Sequence, residues 1–126
     1  MDESEKLLTE LRKLSADDSI GKKTEPTYSI YVLEIERIDP SLDFDFYVGS
    51  TGNSIPYRFS QHIPNHKFAA RIFRNSRAKA KCVRWDLIMD FPKFHTKKTA
   101  EKAEGLLANA IHRAGWSVCS DRLGKD

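Results

Sequence analysis

Two β-rich runs separated by a few polar residues constrain this chain more than any other feature. YSIYVLEIER, from Tyr28 to Arg37, is β-branched and aromatic, the composition of a strand buried on both faces. IDPSLD follows as a polar turn, and FDFYVGS, from Phe44 to Ser50, begins a second strand. So short a connection leaves no room for the crossover that parallel neighbours need, and the two runs form an antiparallel hairpin.

The remainder is organised around that hairpin. Asn53 or Ser54 caps a helix with Pro56 in its first turn, where a missing N–H does no harm. Pro64 ends this helix, and Asn65 caps a second one through KFAARIFRNSR. KCVRWDLIMDF reads as a third strand, Thr96 or Thr99 opens a long helix through TAEKAEGLLANAIHRAG, and Gly115 stops it. WSVCS adds a short extended piece, and Trp85 and Trp116 read as core residues. Upstream, Leu7, Leu8, Leu11 and Leu14 form one stripe of a helix over residues 3–14, and SADDSIGKKTEPT reads as a linker. The order is β-β-α-α-β-α behind an N-terminal helix, an α+β domain with a small, largely antiparallel sheet covered by helices.

A length of 126 residues suits one compact domain, and 40% hydrophobic residues are enough to give it a core. No apolar run approaches the roughly 20 residues of a membrane span, and the acidic N-terminus lacks the apolar core of a secretory signal. Cys82 and Cys119 have neither a disulfide framework nor metal-ligand spacing around them, so a reduced, cytoplasmic location is expected. The net charge of +3 is unevenly spread: from Phe46 to Trp85 there is no carboxylate. That stretch holds Arg58, Lys67, Arg71, Arg74, Arg77, Lys79, Lys81 and Arg84. Such a run makes either a solvated basic face or a surface for a polyanion such as nucleic acid.

Helical spacing narrows the chemistry. Arg58 and His62, four apart, share a face of their helix, and Phe59 and Ile63 form the neighbouring pair that anchors it to the sheet. On the last helix, Ala100, Ala103, Leu107, Ala110, Ile111 and Ala114 form the apolar stripe, with Glu104 on its edge. The small alanines let that helix approach the sheet closely, as a carboxylate of short reach requires.

Taken together, SIY at Ser29–Tyr31, YVG at Tyr47–Gly49, Arg58, His62 and the late Glu104 resemble the GIY-YIG nucleases. That family includes homing endonucleases, restriction enzymes and DNA-repair incision subunits. The resemblance spans roughly Tyr28 to Ser120. It implies a three-stranded antiparallel sheet flanked by helices, a nuclease domain over residues 26–120, a helix and linker over residues 1–25, and a tail over residues 121–126. Ser29 stands where the family name has Gly, and the family's late polar residue, commonly Asn, has no clear match, Asn109 facing away and Ser120 being the other candidate.

The resemblance further implies a metal-dependent endonuclease acting on DNA. Glu104 would ligate one Mg²⁺, with Mn²⁺ as a substitute, and Arg58 would grip the scissile phosphate. Tyr31 would activate water, Tyr47 would orient water or phosphate, and His62 would carry the proton onward. Lys67, Arg71, Arg74, Arg77, Lys79 and Lys81 would contact the backbone of DNA, branched or damaged DNA included. The alternative is a catalytically inactive nucleic-acid-binding module of the same fold working with a partner protein. The stripe of Leu7, Leu8, Leu11 and Leu14 would dock a second copy or a partner, or pack on its own domain.

Overall fold

The computed structural model describes residues 3–21, 25–38, 44–62, 73 and 78–120. Its centre is β1 (Ser29–Arg37), paired antiparallel with β2 (Phe46–Thr51) on one side and with β3 (Ala78–Val83) on the other. Ile30, Tyr31, Val32, Leu33 and Ile35 are all buried, so both faces of β1 are covered, as its unbroken apolar composition requires. A bulge between Glu34 and Ile35 shifts the pairing with β3.

The sheet is four-stranded and mixed, in the order β3-β1-β2-β4, rather than three-stranded and antiparallel. The extra strand, β4 (Val118–Cys119), pairs parallel with β2. Two residues suffice because α4 (Lys97–Arg113), which packs on β1 and β2, serves as the crossover that a parallel pairing needs. Thr96 caps α4, its hydroxyl accepting from the Thr99 N–H at 3.2 Å. Gly115, at φ 97°, reverses the chain after it, with Gly115 N–H donating to His112 O and Trp116 N–H to Ile111 O.

The third strand lies earlier than its apolar content implied. β3 ends at Val83, and Trp85–Ile88 form a single helical turn, α3. The cause is local: Arg84 donates through Nε and Nη2 to the two carboxylate oxygens of Asp86, at 3.0 and 2.8 Å, which closes the chain into a turn. Trp85 and Trp116, expected in the core, are 50% and 54% exposed. Ile88 is the residue of α3 that reaches the core.

At the N-terminus, α1 (Glu3–Ser19) continues through five residues that read as linker. Leu11 is fully buried, Leu7 and Leu14 pack against the core, and α1 rests on α4. Burial of a side chain such as Leu11 contributes roughly 1.5–3 kcal/mol. The end of α1 is held by Asp18, whose carboxylate accepts from the N–H groups of His95 and Thr96 and from the hydroxyls of Thr96 and Thr99. These donors lie at the start of α4, where the helix dipole favours an anion. No helix among the described residues is long and apolar enough to cross a membrane.

Candidate active site

The site begins with strand register. Tyr31 lies opposite Gly49 and Leu33 opposite Tyr47, so the two tyrosines are diagonal neighbours on one face of the hairpin, with ring centroids 6.3 Å apart. Gly49 makes this possible. A Cβ there would sit 2.5 Å from the Tyr31 hydroxyl oxygen and 2.6 Å from its Cζ, so the phenol lies across β2 where any side chain would collide with it.

From that position the Tyr31 hydroxyl reaches Nε2 of His62 at 2.8 Å. His62 follows α2 (Ile55–Gln61), which Ser54 caps by accepting from the Tyr57 N–H and which carries Pro56 in its first turn. Arg58 also acts on the Tyr31 phenol, so the two residues converge there, and His62 does so from the end of α2. It is the C-cap, at φ −90° and ψ 48°, with its N–H turned back to Phe59 O at 3.0 Å. Leaving the helix at that point takes the imidazole inward to 1% exposure, against the rings of Tyr47 and Phe73 at 5.4 and 5.0 Å. Phe59 packs against the core as its spacing implied, whereas Ile63 lies outside the described residues. Phe73 had no signal in the sequence that separated it from its neighbours.

Arg58 is half-buried, and its Nη1 donates to Oε1 of Gln61 at 3.0 Å. Its influence is registered at Tyr31. Burial pushes the phenol up to about 12, Arg58 opposes this through its charge and a hydrogen bond, and the Glu104 charge raises it further. The phenol is therefore protonated at neutral pH, and its oxygen shares with Nε2 one hydrogen bond whose direction is set by the imidazole tautomer.

Glu104 is buried in the middle of α4 rather than perched on its edge. The buried arc consists of Ala100, Ala103, Glu104, Gly105, Leu107 and Ala108, while Ala114 is exposed. The helix is rotated from the expected stripe toward its smallest residues, Gly105 and Ala108, which allow the closest approach. Ser120, just past β4, donates its hydroxyl to Glu104 Oε2 at 2.9 Å. Ser120 thus stands at the carboxylate, a placement that helical spacing could not reveal because it depends on a parallel strand two residues long.

Among the described residues no group of three or more His, Cys, Asp and Glu could hold a metal ion. An all-protein cage is therefore not what Glu104 offers. A lone buried carboxylate oriented by a neutral hydroxyl does fit Mg²⁺, which is commonly held by one or two carboxylates, waters and substrate phosphates.

The basic stretch is less unopposed in space than along the chain. Lys81 and Arg84 pair with Glu34 at 3.1 and 3.5 Å, because β1 lays Glu34 beside β3, and Arg84 also pairs with Asp86 two residues on, at 2.8 Å. Lys79 is exposed on the same strand. Lys67, Arg71, Arg74 and Arg77, with the helix expected to carry them, lie outside the described residues.

Comparison of the chain with family models, with curated proteins and with solved structures finds no match.

Proposed function

We propose that this chain is a metal-dependent endonuclease of the GIY-YIG type, hydrolysing DNA phosphodiester bonds. The observation that carries the reading is the buried Tyr31–His62 hydrogen bond, made where the charges of Arg58 and Glu104 both act on the phenol. A cation for a phosphate, a carboxylate for a metal and a proton relay are the three requirements of such a hydrolysis.

In this mechanism the attacking water gives its proton to the Tyr31 oxygen as Tyr31 passes its own to Nε2 of His62. The transfer is concerted, since a phenol held near 12 does not ionise beforehand. With the imidazole proton on Nδ1, Nε2 accepts along the same hydrogen bond that the structure holds at 2.8 Å. Arg58, with its planar fork, holds the scissile phosphate, and Tyr47, beside Tyr31, orients the water or a phosphate oxygen. Glu104 would hold Mg²⁺, which when bound supplies positive charge to the phosphate and the leaving oxygen.

One observation favours a second reading, a binding module of the same fold that does not cut: Tyr31 and His62 are each 1% exposed. Incubation of plasmid, branched and single-stranded DNA with Mg²⁺, Mn²⁺ or EDTA separates the two. The nuclease reading expects metal-dependent nicking that Glu104→Ala and Arg58→Ala abolish. DNA binding by folded protein without cleavage under either metal would favour the second.

A further inference from the structure

The last strand does more than extend the sheet. After Gly115 reverses the chain, Trp116 sets its ring edge-on against Phe46, with centroids 5.6 Å apart. At Ser117 the chain is clamped from three directions. Asp45 N–H and Phe46 N–H both donate to Ser117 O, at 2.9 and 3.2 Å, and Ser117 N–H donates to Asp45 Oδ2 at 3.2 Å. Val118 is then buried, and the parallel register sets Cys119 beside Tyr47. One residue later, the Ser120 hydroxyl meets Glu104. Each contact fixes the next, so the clamp at Asp45 determines where the Ser120 hydroxyl stands.

We infer that Ser120 is a positioning residue for the Glu104 carboxylate, with β4 as the arm that presents it. The inference rests on the nuclease reading of Glu104. A carboxylate in the middle of a helix receives no help from the backbone, because the surrounding N–H groups are engaged within the helix. Its orientation depends on side chains, and the hydroxyl donated to Oε2 holds that oxygen and with it the carboxylate plane. Loss of such an outer partner typically costs 10–100-fold in metal affinity or activity.

The test is Mn²⁺ binding to the full chain without DNA, followed by electron paramagnetic resonance, with melting temperature as the control. Ser120→Ala is expected to weaken Mn²⁺ about tenfold at unchanged melting temperature, and Ser120→Thr, which keeps the hydroxyl, to restore it. In the cleavage assay the same loss is expected as a raised Mg²⁺ requirement with kcat recovered at saturating metal. If the parent binds Mn²⁺, Glu104→Gln abolishes the binding and Ser120→Ala binds as the parent does, the positioning role is wrong and the metal role of Glu104 stands. If the parent binds no Mn²⁺, the metal reading of Glu104 fails, and the role of Ser120 with it.

Discussion

Helix α4 carries two buried carboxylates against it, and they are treated in opposite ways. Asp18 comes from α1 to the start of α4, where it accepts two backbone N–H groups and two threonine hydroxyls. Burial alone would raise its pKa, but these donors outweigh burial and hold the carboxyl below its ordinary range. Glu104 sits two turns further along, among alanines, at a depth where the helix has no backbone donor to offer. One carboxylate is satisfied by the fold and serves it. The other is buried with the Ser120 hydroxyl on its Oε2, and the proposed nuclease would use it for chemistry.

That contrast can be broken by substitution. The largest expected effect is on activity: Glu104→Ala lowers cleavage by about a thousandfold, the scale on which loss of a charge-stabilising group in a dry site is felt, with the melting temperature unchanged or raised. Asp18→Ala should do the reverse. Its removal strips a cap and a helix–helix tie, costing about 2–3 kcal/mol in denaturant unfolding while single-turnover cleavage by the folded fraction is unchanged.

Next in size is Gly49→Ala. The added methyl would overlap the Tyr31 hydroxyl, so the phenol must leave His62. Overpacking of this kind costs about 1–3 kcal/mol, and cleavage should fall with it. A variant that cuts normally would show that the Tyr31–His62 bond is not needed. Arg58→Lys retains the charge but loses the fork, and we expect cleavage reduced about 100-fold with stability within 0.5 kcal/mol.

The smallest effects are in pH, and they again separate the groups. Tyr31 holds its proton more tightly when folded, so it contributes stability below its ordinary value of 10 that is lost as the pH rises toward 12. The loss is roughly 2–3 kcal/mol, and Tyr31→Phe should lack it. Asp18 has the opposite sign: its stabilisation is present above its ordinary value of 3.8 and lost as the pH falls below it, a decline that Asp18→Asn should not show.

What the sequence made legible follows how local each signal is. The β1–β2 hairpin, the Ser54 and Thr96 caps and the Gly115 stop are all decided within a few residues, and each is where its chemistry puts it. β3 is hard to read because AKAKCV alternates in burial but is built from alanine and lysine, poor strand formers, while the apolar WDLI beyond it forms a helical turn. The docking of α1 depends on Asp18 meeting donors 77 or more residues away, and the position of Ser120 on a strand pairing across the domain. Helical spacing put His62 on the side of Arg58, and both reach Tyr31, whereas the C-cap backbone that takes the imidazole inward carried no local signal.

The central claim is most directly tested by single-turnover cleavage of a plasmid substrate in Mg²⁺ and in EDTA by the parent, Glu104→Ala and Asp18→Ala. The account predicts Mg²⁺-dependent nicking by the parent and by the folded fraction of Asp18→Ala, and none by a fully folded Glu104→Ala. Nicking by Glu104→Ala at the parental rate, or a folded parent that leaves DNA intact in Mg²⁺, would contradict it.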